Sequence, residues 1–354
     1  MRILITGGAG FVGSRLAFLN KEAHPDTEVV VFDNLKRRGS ELNLPAFKKR
    51  GIDYIHGDIR VSSDLSALKG TFDLLVEASA EPSVLAGMSG SPDYLIQTNL
   101  NGTLNCLEWV RSRSCPMIFL STSRVYSIVP LKELALNETA SRFSLDEKQI
   151  HPGVSADGID ENFPTHLPRS LYGATKLASE MMIQEYVHAY GIKAVVNRCG
   201  VIFGAGQMGK VDQGVFTLWV ARHFYGKPLS YTGFGGGGKQ VRDLLHPSDL
   251  FRLIEKQVAQ IADCSGEVFN VGGGVANTIS LKELTSLCET IVRKKITMGS
   301  DARTNPVDIP FYATNNHRVS QRFDWRPETT VPEIVTEIHE WLRRESEALS
   351  FIFN

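Results

Sequence analysis

Ile3-Leu4-Ile5-Thr6-Gly7-Gly8-Ala9-Gly10-Phe11-Val12-Gly13 reads as an apolar strand, a glycine turn and the start of a helix. Gly7, Gly10 and Gly13 fall in a G-x-x-G-x-x-G spacing. There the backbone amides, those of Phe11 and Val12 among them, and the helix N-terminus can hold a pyrophosphate. Side chains at the three glycines would obstruct the phosphates or the helix-strand packing. Such spacing is weak by itself in a chain with 31 glycines, and the following residues supply the context. A second apolar strand, Val29-Val30-Val31-Phe32, ends in Asp33 and Asn34, where a carboxylate accepts hydrogen bonds from adenosine ribose hydroxyls. A 2'-phosphate would be repelled by Asp33, so the pattern favours NAD over NADP, although Lys36, Arg37 and Arg38 follow and are able to bind a phosphate. A third strand ends His56-Gly57-Asp58-Ile59, where Asp58 and Ile59 are candidate adenine contacts, with a surface turn as the plainer alternative.

Short apolar strands then alternate with helical stretches to about residue 200: Leu74 to Val76, a helix around Leu100 to Arg111, Met117 to Leu120, a helix from Tyr172, and Ala194 to Val196. This alternation predicts an α/β fold, a Rossmann-type doubly wound parallel sheet with helices on both faces. After Phe203 the pattern becomes irregular, which predicts a smaller C-terminal substrate-binding domain. The expected division is 1–200 for the dinucleotide-binding domain, with 240–272 returning to it, and 201–239 with 273–354 for the smaller lobe. Leu131 to Arg169 is polar with scattered Pro and Gly, and is expected as a long loop around the site. Ile334, Ile338 and Trp341 recur at helical spacing and are read as core packing.

With 354 residues the chain is long enough for one large or two closely packed domains. A formal net charge of -1 and the lack of a long basic run argue against nucleic acid as a partner. The five cysteines, Cys106, Cys115, Cys199, Cys264 and Cys288, are scattered, with no C-x-x-C and no histidine at metal-ligand spacing. A reducing compartment and no structural metal are expected. No basic leader precedes the first strand and no long uncharged apolar run occurs, so a cytoplasmic protein without membrane partners is expected.

The chemistry is carried by Ser121-Thr122-Ser123-Arg124-Val125-Tyr126 and by Tyr172-Gly173-Ala174-Thr175-Lys176. Four residues apart on a helix, Tyr172 and Lys176 share one face. A free tyrosine has a pKa of about 10, and a nearby ammonium and a positive nicotinamide ring both favour the phenolate. Tyr172 is therefore the candidate base, Lys176 its electrostatic partner and a candidate ligand of the nicotinamide ribose. Thr122, at the carboxyl end of a predicted parallel strand, would face the ligand crevice and share the substrate proton. An exposed helical Tyr-Lys pair is the bland alternative, and the upstream glycine turn, Asp33 and Ser-Thr-Ser segment speak against it. Tyr126 is read as part of the wall.

These elements resemble the extended short-chain dehydrogenase/reductase family, the sugar-nucleotide epimerases and dehydratases, over nearly the whole chain. The resemblance implies a catalytic set of Thr122, Tyr172 and Lys176, bound NAD with Asn99 among its contacts, and a nucleotide-sugar substrate. Gly238-Lys239-Gln240-Val241-Arg242-Asp243-Leu244-Leu245-His246 looks like the family's nucleotide-diphosphate contact, with Arg242 toward the phosphates. Further resembling pieces are Asn137-Glu138-Thr139, Asp212-Gln213-Gly214 and Phe269-Asn270-Val271-Gly272-Gly273. Gln213, Gln240, Glu81, Ser123 and Arg124 complete the candidate substrate contacts, with a charged rim as the plainer reading of Glu81. Two departures stand out. Glu77-Ala78-Ser79-Ala80 replaces a stretch in which many relatives carry His, and Cys199-Gly200-Val201 follows Arg198 where many place a substrate-binding Asn.

A 4,6-dehydratase needs an acid to protonate departing hydroxide, and its relatives commonly carry Asp-Glu after the threonine, where Ser123 and Arg124 stand here. A decarboxylase is disfavoured on the same segment. A simple dehydrogenase would use the same residues but show a net change in nicotinamide redox state. Gly233-Phe234-Gly235-Gly236-Gly237-Gly238-Lys239-Gln240 nearly spells a P-loop, with Gln240 in place of the magnesium-binding hydroxyl residue. A non-catalytic dinucleotide sensor would tolerate loss of Tyr172. The helices around Leu104 to Trp109 and Met181 to Tyr190 are candidates for pairing in a homodimer. Sedimentation as monomer alone at micromolar concentration would remove that expectation.

Overall fold

Ile3, Leu4 and Ile5 lie in β1 (Arg2–Thr6), buried from its second residue onward, and β2 (Glu28–Asp33) is buried from Val29 to Asp33. Continuous apolar runs of this kind suit strands covered on both faces. A computed structural model describes residues 1–209 and 214–353. The central sheet has seven strands, with β3 (Asp53–His56), β4 (Leu74–Glu77), β5 (Met117–Thr122), β6 (Ala194–Cys199) and β7 (Val268–Val271) joining the first two. Their spatial order is β7-β6-β5-β4-β1-β2-β3. The pairings of β1 with β2 and β4, of β2 with β3, and of β5 with β4 and β6 are all parallel. The order reverses between β1 and β4, and parallel sheets hold ligands beyond the carboxyl ends of the strands at such a reversal.

The chain divides into two compact units. The first comprises Met1–Val125, Leu171–Cys199 and Leu250–Phe269 and carries most of this sheet. Its core joins Leu4, Val30 and Phe32 from the strands to Leu107 and Val110 of α2 (Gly102–Arg113) and Ile183 of α3 (Leu171–Tyr190). The turn after β1 leads into α1 (Phe11–Ala23).

The second unit comprises Tyr126–Ser170, Gly200–Asp249 and Asn270–Asn354. It holds a four-stranded sheet in which Val241–Leu245 pairs with Val201–Ile202, Thr278–Ser280 and Phe311–Tyr312. Helices Leu281–Val292 and Val331–Arg344 each begin with a capping box, from Ser280 with Glu283 and from Thr330 with Glu333. Ile334, Ile338 and Trp341 are buried, as their spacing predicts.

This division differs from the expected one at two places. Residues 126–170 group with the second unit. Tyr126 is fully buried, stacks on Tyr312 at 6.4 Å, meets Phe163 edge-on at 5.6 Å, and donates its hydroxyl to Asn270 Oδ1 at 2.7 Å. The polar stretch expected as a loop also forms two small antiparallel pairs, Leu136–Glu138 with Phe143–Leu145 and Val154–Ser155 with Gly158–Ile159. The segment that returns to the first unit is Leu250–Phe269, because strand Val241–Leu245 is the centre of the second unit's own sheet. The P-loop reading is overturned here too. Its glycines form a short 3-10 turn, Phe234–Gly236, and lead into strand Val241–Leu245 instead of a helix.

Candidate active site

Gly7 has φ +64°, and a Cβ on it would lie 2.6 Å from Ser79 Cα, so only glycine fits. A Cβ on Gly13 would lie 2.5 Å from the Gly7 carbonyl oxygen, which forces α1 close against the turn. Gly10 is the N-cap of α1 and no side chain caps its first turn, where the amides of Phe11, Val12 and Gly13 begin the helix. The Gly7 amide is anchored on the Phe32 carbonyl at 2.9 Å, which ties the turn to β2.

Asp33 ends β2 almost buried. Its carboxylate accepts the Leu35 amide at 2.7 Å and the Ala9 amide at 3.1 Å, and burial outweighs these bonds to push its pKa up. Asn34 Nδ2 donates to Asp58 at 2.8 Å, and Arg60 pairs with the same carboxylate at 2.6 Å. Against the cost of burial, the Arg60 and Asn34 bonds hold Asp58 down to about 2. Ile59 is buried against α2, where a Cβ on Gly102 would meet its Cδ1 at 2.5 Å. A cradle that excludes side chains, an uncapped helix start and a carboxylate fixed at the end of β2 together fit a dinucleotide.

Tyr172 sits in the first turn of α3 and Lys176 one turn later. Burial pushes the Tyr172 phenol up to about 12, against the pull of the Thr122 hydroxyl and the Arg124 charge, while Cys199 and Glu81 push the same way as burial. The enclosing walls disfavour the phenolate more than these neighbours favour it, and the lowering expected from sequence counts on the Lys176 ammonium together with a positive nicotinamide ring. Lys176 is 1% exposed, its ammonium 3.8 Å from the centre of the Phe119 ring, and burial lowers its pKa. Thr122, the last residue of β5, accepts the Arg124 amide at 3.2 Å, and Ser123 follows it, buried, in a short 3-10 turn.

Asn99 lies in a π-helical turn, Gln97–Asn101. Its side chain accepts the Glu81 amide at 2.8 Å and donates to the Glu81 carbonyl at 3.1 Å, and its own carbonyl accepts the Ser179 hydroxyl at 2.8 Å. The residue thus fixes the segment after β4 to α3, a positioning duty that the sequence does not reveal. The structure therefore brings Thr122, Arg124, Glu81 and Tyr172 together in the first unit. Gln240 and Arg242 lie in the second unit. Gln240 donates to the Thr232 carbonyl at 2.9 Å and leaves a buried Oε1 without a partner, while Arg242 is held by Asp308 at 2.9 Å and the Ile309 carbonyl at 2.8 Å. Gln213 lies outside the described residues.

Sequence reasoning passed over two buried groups beside Lys176. Glu77 closes β4 with no exposure, and Glu180 pairs with Arg198 at 2.8 Å. A charged residue ending the apolar run Leu74-Leu75-Val76 was the available signal for Glu77. Among the described residues, no group of His, Cys, Asp or Glu is arranged to hold a metal, and no helix is long and apolar enough to cross a membrane.

A doubly wound sheet with a glycine turn, a carboxylate fixed at the end of β2 and a buried Tyr-Lys pair fits a dinucleotide-dependent enzyme. The chain belongs to the NAD dependent epimerase/dehydratase family, whose model matches residues 3–272. It is 30% identical to CDP-paratose 2-epimerase of Salmonella typhi over 355 aligned positions, 96% of this chain and 99% of that protein. It is also 30% identical to dTDP-glucose 4,6-dehydratase of Mycobacterium tuberculosis over 251 positions, 70% of this chain and 66% of that one. In fold it is similar to UDP-glucose 4-epimerase of Thermus thermophilus, solved with NAD, with a TM-score of 0.76 and 24% identity over 97% of this chain and 99% of that one.

Proposed function

We propose that the protein epimerises a nucleotide-diphosphosugar through a transient keto-sugar, and that its reaction is the interconversion of CDP-paratose and CDP-tyvelose at C2. The observation that carries this reading is the near end-to-end similarity to CDP-paratose 2-epimerase, combined with Ser123 and Arg124 where a dehydratase needs acids. Arg124 acts on Tyr172 as a cation, which favours the phenolate and leaves no acid there to expel hydroxide.

In this reading Gly7, Gly10, Phe11, Val12 and Gly13 hold the pyrophosphate of NAD, Asp33 its ribose, and Asn34, Asp58 and Ile59 its adenine end. NAD, when bound, supplies a reversible two-electron acceptor bearing a positive ring. Tyr172 takes the proton of the substrate hydroxyl, and Thr122 shares that hydrogen bond. Lys176 stabilises the phenolate and holds the nicotinamide ribose, and Asn99 keeps the neighbouring wall in place. Glu81, Ser123, Arg124, Gln213, Gln240 and Arg242 hold the nucleotide-sugar. The keto-sugar turns over and takes its hydrogen back on the opposite face, so the tyrosine returns the proton and no net redox change remains. A homodimer paired through α2 and α3 belongs to the same reading.

Replacing Tyr172 by Phe is expected to lower turnover by about a hundred- to ten-thousandfold, the size of general-base effects, while NAD still binds by calorimetry. Retained turnover would remove Tyr172 from the role of base.

A further inference from the structure

Glu77 ends β4 in the middle of the sheet, fully buried. Its parallel cross-strand partner is Phe119 of β5, so the two side chains share one face. The Lys176 ammonium sits over that same Phe119 ring at 3.8 Å. Thr103 of α2 donates to Glu77 Oε1 at 2.7 Å, and Oε2 has no hydrogen-bond partner. A carboxylate and an ammonium, both almost without solvent, therefore flank the same buried Phe119 ring.

A buried ammonium without a counterion gives up its proton. Two carboxylates act on Lys176, Glu77 and Glu180. Glu180 is engaged elsewhere: it takes the Arg198 guanidinium at 2.8 and 3.0 Å and the Ser121 hydroxyl. The remaining titratable neighbours are the thiols Cys106 on α2 and Cys199 on β6, which burial keeps protonated.

We propose that Glu77 is a positioning residue that serves as the internal counterion of Lys176 and keeps it an ammonium at working pH. This rests on the assignment of Lys176 as the partner of Tyr172. Burial pushes the Glu77 carboxyl up to about 7, opposed by Lys176 and Thr103, so the counterion itself is charged above neutrality and lost below it. Above neutrality, where the Tyr172 phenolate is needed, Glu77 is then the group that stops Lys176 from deprotonating.

The test is a pH titration of the full chain labelled with 13Cε-lysine, the Lys176 resonance being assigned by its loss in Lys176→Met. In Glu77→Gln that resonance should titrate at lower pH than in the parent protein, by at least about one unit, and the alkaline limb of turnover should move the same way. Thr103→Val removes the bond that favours ionised Glu77 and should shift Lys176 in the same direction by less, which decides the matter if the Gln variant does not fold. A Lys176 titration unchanged in the folded variants would overturn the proposal. The titration is read on the protein itself, so failure of the epimerase reading is a separate result.

Discussion

Asp33 and Tyr172 show how far single residues carry the reading. Asp33 stands at the end of β2 with both oxygens already on backbone amides, fixed in place before any ribose arrives. A hydrogen bond to a charged group is worth about 1.5 to 3 kcal/mol. Asp33→Asn should therefore weaken NAD by roughly ten- to a hundredfold in calorimetry, with the far-ultraviolet circular dichroism unchanged. Unchanged affinity would remove Asp33 from the ribose contact. The residue types and their spacing made Asp33, Tyr172 and Lys176 candidates in the sequence. The electrostatics were not legible, because adjacency along a helix shows which charges are near but not how much solvent is excluded. Burial is the largest influence on the Tyr172 phenol and pushes it up, and Glu77, a residue without an assigned role in the sequence, lies wholly inside the first unit.

At the scale of elements, the turn between β1 and α1 depends on a backbone approach that a single methyl group would disturb. A Cβ on Gly13 meets the Gly7 carbonyl at 2.5 Å and Gly8 Cα at 2.6 Å, both backbone atoms with little room to yield. Gly13→Ala is expected to lower the thermal midpoint of the first unit and to weaken NAD at least about tenfold, since overpacking of this kind costs roughly 1–3 kcal/mol. A variant with the parent's midpoint and affinity would show that the turn relaxes freely. Strands and helices of the first unit were legible because each carries its own period: Ala194 to Val196 extends to Cys199, and the helix from Tyr172 starts at Leu171. Residues 126–170 were not. The polarity of Leu131 to Arg169 suggested a loop, and the contacts that order the segment, Tyr126 with Tyr312 and Ile159 with Thr314, come from distant parts of the chain.

At the scale of the whole molecule, similarity along almost all of the chain and a shared family define an NAD-dependent enzyme, while the substrate rests on a 30% likeness and on Ser123 and Arg124. The nucleobase, the sugar and the inverted carbon are set by side chains that no local spacing encodes. The unpartnered Oε1 of Gln240, a proposed substrate contact, is likewise a property of the folded second unit. The most direct measurement is proton NMR of the purified protein incubated with CDP-, UDP-, GDP- and dTDP-sugars, CDP-paratose among them, with nicotinamide absorbance followed in the same tube. CDP-paratose should convert to its C2 stereoisomer without a net change in that absorbance. A 4-keto-6-deoxy product, or a change in absorbance stoichiometric with substrate, would contradict the epimerase assignment and the roles given to Ser123 and Arg124.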